Sequence, residues 1–364
     1  MRATRAQRDP SQLALVTPEE KTLTRGELFA LQNQIAHGLR ALGLSQGVLP
    51  PQERPNIAWL RSLGFRGTDG QVWERAWNSE PTLARAALAA SAMWAANAAT
   101  ISPSADCTDG KLHASVANLQ TMLHRILEAE QTERALRRLM PDEARFSVHP
   151  ALLPHDALSD EGAANHMRMA ASAGAPGVEI FVYGRQAGEP RSGFPARQTL
   201  EACRALARRH ALSDARAIYA RQADGAIDAG AFHNDVVAVA HERILFHHED
   251  AFADKAALYA AIRVAARGLF EPIFVEVPRE RVGIDDAVSS YLFNSQLVRL
   301  PAAASLTLIA PSEVRENNRT ADFVREMCAE VAACWRALAE MFCTSCAIWF
   351  DTSSISPSAA PAFS

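Results

Sequence analysis

Short apolar runs bounded by turn residues alternate along this chain with longer segments whose apolar positions recur every three or four residues. Ile180-Phe181-Val182-Tyr183, Val236-Val237-Ala238-Val239 and Leu306-Thr307-Leu308-Ile309 read as strands. Residues 82–97, 115–130 and 198–211 carry helical spacing. Strands and helices alternating in this way argue for an α/β or α+β fold. No exact internal repeat is visible, although structural repeats can diverge beyond recognition in a single sequence. Near the start, a disordered stretch leads into a helix. Thr24 precedes Glu27 at capping-box spacing, Leu28, Leu31, Ile35, Leu39 and Leu42 share one face, and Gly43 is placed to stop it. Toward the other end, 321–341 reads as a helix and the Ser/Ala/Pro-rich 353–364 as disordered.

With 364 residues, 48% hydrophobic and 21% charged, the chain is long enough and apolar enough for a full core. A net charge of −4 gives no global reason to expect nucleic acid or an anionic membrane as partner. There is no apolar run of about 18 residues to span a bilayer. Basic Met1-Arg2-Ala3-Thr4-Arg5 is followed by no apolar signal core. A cytoplasmic location is the expectation.

The cysteine count of 6 does not suggest a disulfide framework in a chain this long. Cys328, Cys334, Cys343 and Cys346 crowd near the end. A structural zinc at Cys343-x-x-Cys346 lacks a second ligand pair, and a redox pair lacks its βαβ context. His247-His248-Glu249-Asp250 reads as a solvated loop, because adjacent side chains diverge. No metal and no organic cofactor is expected.

Three clusters carry candidate chemistry. Glu161 lies in Asp160-Glu161-Gly162-Ala163-Ala164, where small neighbours let a ligand approach a carboxylate that can grip a planar guanidinium. On residues alone this remains open to reading as an acidic loop or helix cap. His233 begins the apparent strand His233-Asn234-Asp235-Val236-Val237 and can move protons near neutral pH. Asp235, two residues on, would face the same side of a strand. A hydrogen-bonded structural histidine is the alternative. Arg197 and the pair His124-Arg125 offer cationic forks for carboxylates, or are surface charges.

The strings around these residues, together with Asn97 in Met93-Trp94-Ala95-Ala96-Asn97-Ala98-Ala99-Thr100 and the run Ser290-Tyr291-Leu292-Phe293-Asn294-Ser295-Gln296-Leu297, resemble the N-succinylarginine dihydrolase family of the guanidine-modifying (pentein) superfamily. The match covers about residues 48–316. The resemblance implies an α/β fold, a pentein propeller with pseudo-fivefold repeats, incomplete here at its C-terminal end. It implies hydrolysis of N-succinyl-L-arginine to N-succinylornithine, ammonia and carbon dioxide in arginine catabolism. It casts Glu161 and His233 as catalytic, and Asn97, His124, Arg125, Arg197 and Asp235 as substrate contacts. It implies no cofactor, a small-molecule substrate and a homodimer.

Both ends depart from the family pattern. Thr22-Leu23-Thr24-Arg25-Gly26-Glu27-Leu28 resembles the opening of an acyl-CoA-ligase-type adenylating enzyme, so 1–46 reads as an unrelated extension with few contacts to the rest. Residues 47–316 form the pentein-like domain and 317–364 a divergent, partly disordered tail. The family's Asn-Gly-Gly-Gly-Pro-x-Cys segment, which carries the nucleophile, has no match after residue 312. Cys343 and Cys346 lie at a suitable distance past His233, and position favours Cys346. The competing readings are a working hydrolase, an inactive relic of that family, and a metal-dependent hydrolase using His233 and Asp235. The family assignment requires Glu161, His233, Asp235, Arg197, Asn97 and His124-Arg125 to converge on one pocket.

Overall fold

The computed structural model describes residues 13–16, 22–24, 40–41, 52–89, 97–189, 193–300, 305–338 and 343–349. The chain is α/β; its described residues form four mixed sheets of three strands each and a separate antiparallel pair, β1 (Leu13–Val16) with β2 (Thr22–Thr24).

One module recurs four times. The first is β3 (Ala99–Ser102), β4 (Leu112–Val116) and β5 (Phe146–His149). The second is β6 (His166–Ala170), β7 (Gly177–Tyr183) and β8 (Ala217–Arg221). The third is β9 (Ala238–His241), β10 (Ile244–His248) and β11 (Ile273–Val277). The fourth is β12 (Gln296–Arg299), β13 (Ser305–Ala310) and β14 (Cys343–Trp349). In each, the first two strands pair antiparallel and the second and third pair parallel. A parallel return needs a long crossover, which helices supply. These are Leu123–Ile126 with Ala129–Leu139, then Leu200–Arg209, Lys255–Ala265 and Asn318–Leu338. The caps are readable in the sequence: Thr199 accepts from the Ala202 N–H and Asp254 from the Ala257 N–H.

The middle strands are buried on both faces, which explains their largely apolar wording, and the polar residues they carry, His113, Ser115, Glu179, His247 and His248, are buried with hydrogen-bond partners. Val178, Ile180 and Val182 of β7 enter one core, while Phe181 between them packs with the helix Leu200–Arg209. In β10, Leu245 enters the core shared with the second module and Phe246 the core shared with the fourth. The first strands sit side by side, β6 against β9 and β9 against β12, and β3 touches the turn ahead of β6. Alternating faces thus weld each module to its neighbours.

Several expectations change. Residues 115–130 are not one helix. Ser115 and Val116 complete β4, where pairing with both neighbours overrides local helical spacing, and the chain then turns through Leu119 at φ 49°. The strand expected from Val236 begins at Ala238, because Asn234–Val236 forms a 3₁₀ turn. The helix expected over 82–97 spans Pro81–Leu88 and ends in extended Ala89; residues 90–96 lie outside the described residues. Within the stretch expected to be disordered, the described residues form the β1–β2 pair. Of the helix expected over 28–42, only Arg40 and Ala41 are described, and both are helical. The expected disorder of 353–364 falls outside the described residues. No helix among the described residues is long and apolar enough to cross a membrane.

Between the first two modules lies a stack of histidines. His113, His149 and His210 have ring centroids 5.1–5.8 Å apart. His113 hydrogen-bonds His149 at 2.9 Å and Asp109 at 3.0 Å. His210 contacts Ser102 and Ser115, and Ser102 donates to Glu179, which also holds His166. Burial, then the neighbouring His113 charge, pulls His149 down to about 4, and burial lowers His210 further still. Both rings are therefore neutral in the fold, whereas in the unfolded chain they titrate near about 6.5. Below that value the unfolded chain takes up more protons, so stability falls as pH drops from about 6.5 toward 4. Melting temperature measured across that window should decline, and His149→Gln should flatten the decline relative to wild type.

Candidate active site

Glu161, His233, Asn97 and Asp235 sit in turns ahead of first strands, Arg125 on a helical crossover, and Arg197 in the loop before one. Glu161 precedes the 3₁₀ turn Gly162–Asn165 that leads into β6. His233 is in extended backbone just before the turn Asn234–Val236 that leads toward β9. Asn97 precedes β3, and Arg125 lies on Leu123–Ile126. Because the first strands are neighbours, these turns meet.

Glu161 is fully buried. One carboxylate oxygen accepts from Arg125 Nη2 at 2.7 Å and lies 2.9 Å from His233 Nε2; the other accepts from Thr121 at 3.2 Å. Burial alone would raise its pKa. The His233 hydrogen bond and the His233 and Arg125 charges outweigh that and hold it below the ordinary carboxylate value. Its backbone N–H donates to Gln198 Oε1 at 2.7 Å. Gln198 Nε2 in turn donates to Asp160, which also accepts from the Gly162 N–H and which burial pushes up to about 6. Gln198 thereby ties the Glu161 turn to the loop carrying Arg197.

Arg197 stacks over Phe232 at 4.4 Å, and Phe232 meets His233 edge-on at 4.8 Å. Burial lowers the Arg197 pKa, with Glu161 and Arg125 as its charged neighbours. Arg125 Nε and Nη1 and Arg197 Nε are buried without a hydrogen-bond partner in the protein. Two guanidinium groups with open N–H edges so close together favour an anion between them. His124 is half-buried, and burial followed by the Arg125 charge lowers its pKa.

Asp235 does not follow His233 on one strand face, because the 3₁₀ turn intervenes. It lines a cavity of about 560 Å³ with Asn97, Asn234, Asn294 and the inner faces of β6 and β9. Burial pushes Asp235 up to about 6, opposed by the His233 charge and by hydrogen bonds from Asn97 and Asn294. Its Oδ1 and the Asn234 Oδ1 have no partner. The structure therefore gathers His233, Arg125 and Arg197 around the Glu161 carboxylate, with Asn97 and Asp235 on an adjoining cavity whose lining does not include those four. Thr121, Gln198 and Asn294 were not singled out from sequence. The signals on offer were the adjacency of Gln198 to Arg197 and the place of Asn294 in the run Ser290–Leu297 that matches the family.

Cys346 stands apart. Its backbone is in β14 opposite Thr307 of β13, which is itself opposite Val298 of β12. That places it two strand spacings, about 10 Å, from the inner strand. Its side chain lies outside the described residues. Cys107 and Cys203 are buried; burial pushes the first up to about 12 and the second higher, so both are neutral thiols. His247 and His248 are not in a solvated loop. Both are buried in β10, with His247 bound to Tyr259 and the His248 carbonyl, and His248 to the Val282 carbonyl.

Gly162 has φ +64°, and a Cβ there would lie 2.1 Å from the Asn97 carbonyl oxygen. Gly162→Ala should cost about 2 kcal/mol or more and push Asn97 away from Asp235. Chemical denaturation of both proteins measures the loss, and an unchanged midpoint would contradict the close approach.

The succinylarginine dihydrolase family profile matches residues 31–338. The chain is 54% identical over 282 residues to N-succinylarginine dihydrolase 2 of Caulobacter vibrioides, covering 77% of this chain and 63% of that protein. It is 50% identical over 295 residues to N-succinylarginine dihydrolase of Burkholderia thailandensis, covering 80% and 66%. It thus spans a little under two-thirds of the length of these curated relatives. A cyanobacterial arginine dihydrolase of the ornithine-ammonia cycle superposes with a TM-score of 0.36 at 15% identity, over 59% of this chain and 25% of that one, too loosely to carry an argument. On the family profile and the relatives' identity over most of its length, the chain belongs to the succinylarginine dihydrolase family.

Proposed function

We propose that this chain binds N-succinyl-L-arginine and acts on its guanidinium, in the reaction that yields N-succinylornithine, ammonia and carbon dioxide. The observation that carries this reading is the pattern of open polar atoms. Buried N–H donors without partners on Arg125 and Arg197 lie beside Glu161, and acceptors without partners on Asp235 and Asn234 belong to the adjoining cavity wall. Such a site suits a ligand that is anionic at one end and cationic at the other. The succinyl and α-carboxylates match the arginines, and the guanidinium matches Asp235 and Glu161. In the same reading the four modules are blades of a pentein propeller, whose pseudo-fivefold pattern the described residues populate with four.

A thiolate attacks the guanidinium carbon, and His233 donates the proton with which ammonia leaves. Water, deprotonated by His233, then displaces the sulfur to give a ureido intermediate. A second round releases another ammonia and carbon dioxide. Glu161 and Asp235 hold the guanidinium and polarise it throughout. The substrate supplies all the carbon and nitrogen, and water supplies the oxygen.

A second reading, a member that binds without turnover, is supported by the cysteines. Cys107 and Cys203 are buried neutral thiols, and Cys346 belongs to an outer strand. Attack requires sulfur within about 3–3.5 Å of the carbon.

Calorimetry with purified chain should show binding of N-succinyl-L-arginine. Arg197→Ala should weaken it by about 1.5–3 kcal/mol, the range for a hydrogen bond to a charged group. An affinity unaffected by Arg197→Ala would sink the assignment of the anionic end. Under the binding-only reading, ammonia release is slight. Robust release that disappears in Cys346→Ala would reject the binding-only reading and identify the nucleophile.

A further inference from the structure

An asparagine stands just ahead of the first strand of each module. Asn97 precedes β3, Asn165 precedes β6, Asn234 precedes β9 and Asn294 precedes β12. The turns that carry the last three touch in succession. Asn165 Oδ1 accepts the Asn234 backbone N–H at 2.9 Å. Asn97 and Asn294 instead send their side chains to the Asp235 carboxylate. The first and fourth modules, farthest apart in sequence, thus converge on one acidic group of the third.

We propose that Asn294 is a positioning residue for Asp235, and that with Asn97 it forms a two-sided amide clamp presenting this carboxylate to a guanidinium ligand. Asn294 is exposed to the cavity, so core packing does not account for its placement. An amide N–H donated to a carboxylate favours the ionised form. That opposes the burial that pushes Asp235 up to about 6. It also restricts rotation of the carboxylate, leaving Oδ1 open. The other charges facing Asp235 are His233 and Glu161. His166, Arg168, His241 and Glu242 line the same cavity. Three of these have charged partners: His166 pairs with Glu179, Arg168 with Asp106, and Glu242 with Arg299. The inference rests on the proposed function in one respect, that Asp235 is taken to hold the guanidinium.

Asn294→Asp keeps the size of the side chain, replaces a donor with an acceptor and adds a like charge. The first readout needs no ligand. The carboxyl-carbon NMR resonance of Asp235, assigned with Asp235→Asn, is titrated in the full chain, in Asn294→Asp and in Asn294→Ser. The midpoint should rise by about one pH unit in the Asp variant and by less in the Ser variant, with melting temperature at pH 8 lowered only by the few degrees that such a rise implies. Midpoints that coincide with wild type in both variants would overturn the clamp, whatever the protein binds. The second readout is calorimetry with N-succinyl-L-arginine from pH 5 to 8. Its affinity should fall as pH drops through the Asp235 midpoint, and that fall should move upward in Asn294→Asp. Full affinity in Asp235→Asn would instead overturn the role given to Asp235 in binding, while a shifted NMR midpoint would still uphold the clamp.

Discussion

Glu161 carries its negative charge with no access to solvent, and that charge must be answered from inside the protein. An isolated buried carboxylate costs several kcal/mol and would take up a proton instead. Here the answer comes from three directions. Arg125 arrives on the crossover of the first module, His233 from the turn before the third, and Thr121 from the loop beyond β4. The backbone of Glu161 is held by Gln198 of the second module. A carboxylate that must stay ionised therefore fixes the relative positions of three modules. It also leaves Arg125 with one edge satisfied and two N–H groups open. The same guanidinium can stabilise Glu161 and remain ready to hold an anion.

Repetition explains why such a constellation can form from residues far apart in sequence. Each first strand begins at the same end of its module, and the first strands pack side by side. The turns ahead of them are thereby gathered, whatever the length of the intervening chain. Catalytic candidates at Glu161 and His233, and the asparagines at Asn97, Asn165, Asn234 and Asn294, occupy comparable places in this scheme. Gly162 permits the closest approach, the Asn97 carbonyl resting where any side chain at that position would lie.

The electrophile-holding groups and the thiols are distributed differently. The open donors and acceptors are concentrated around Glu161, Arg197 and Asp235, whereas Cys107 and Cys203 are enclosed in apolar or acidic surroundings that suppress the thiolate. In the proposed reading, the middle of the chain supplies recognition and polarisation. The nucleophile is a separate requirement, one that depends on a few atoms placed to a fraction of an ångström. The relatives extend beyond the span matched here.

The sequence by itself determined the class of fold, the family and the identity of the main charged residues. Buried middle strands must be apolar on both faces, so Ile180–Tyr183 was legible as a strand. Helical spacing over 198–211 marked the helix found at Leu200–Arg209. The long strings around Glu161 and His233 pointed to one chemistry. Tertiary structure decided the rest. Residues 115–130 carry helical spacing, yet strand pairing on both sides of β4 claims Ser115 and Val116. Asp235 was expected to share a strand face with His233, but a 3₁₀ turn directs it into the cavity instead. The fourfold module was invisible because its burial pattern differs at every first strand. Hydrogen bonds define that repeat, and they leave little trace in side-chain type. Gln198, Thr121 and Asn294 acquire their significance only from what stands opposite them in space, because neutral polar residues report their partners through geometry rather than through composition.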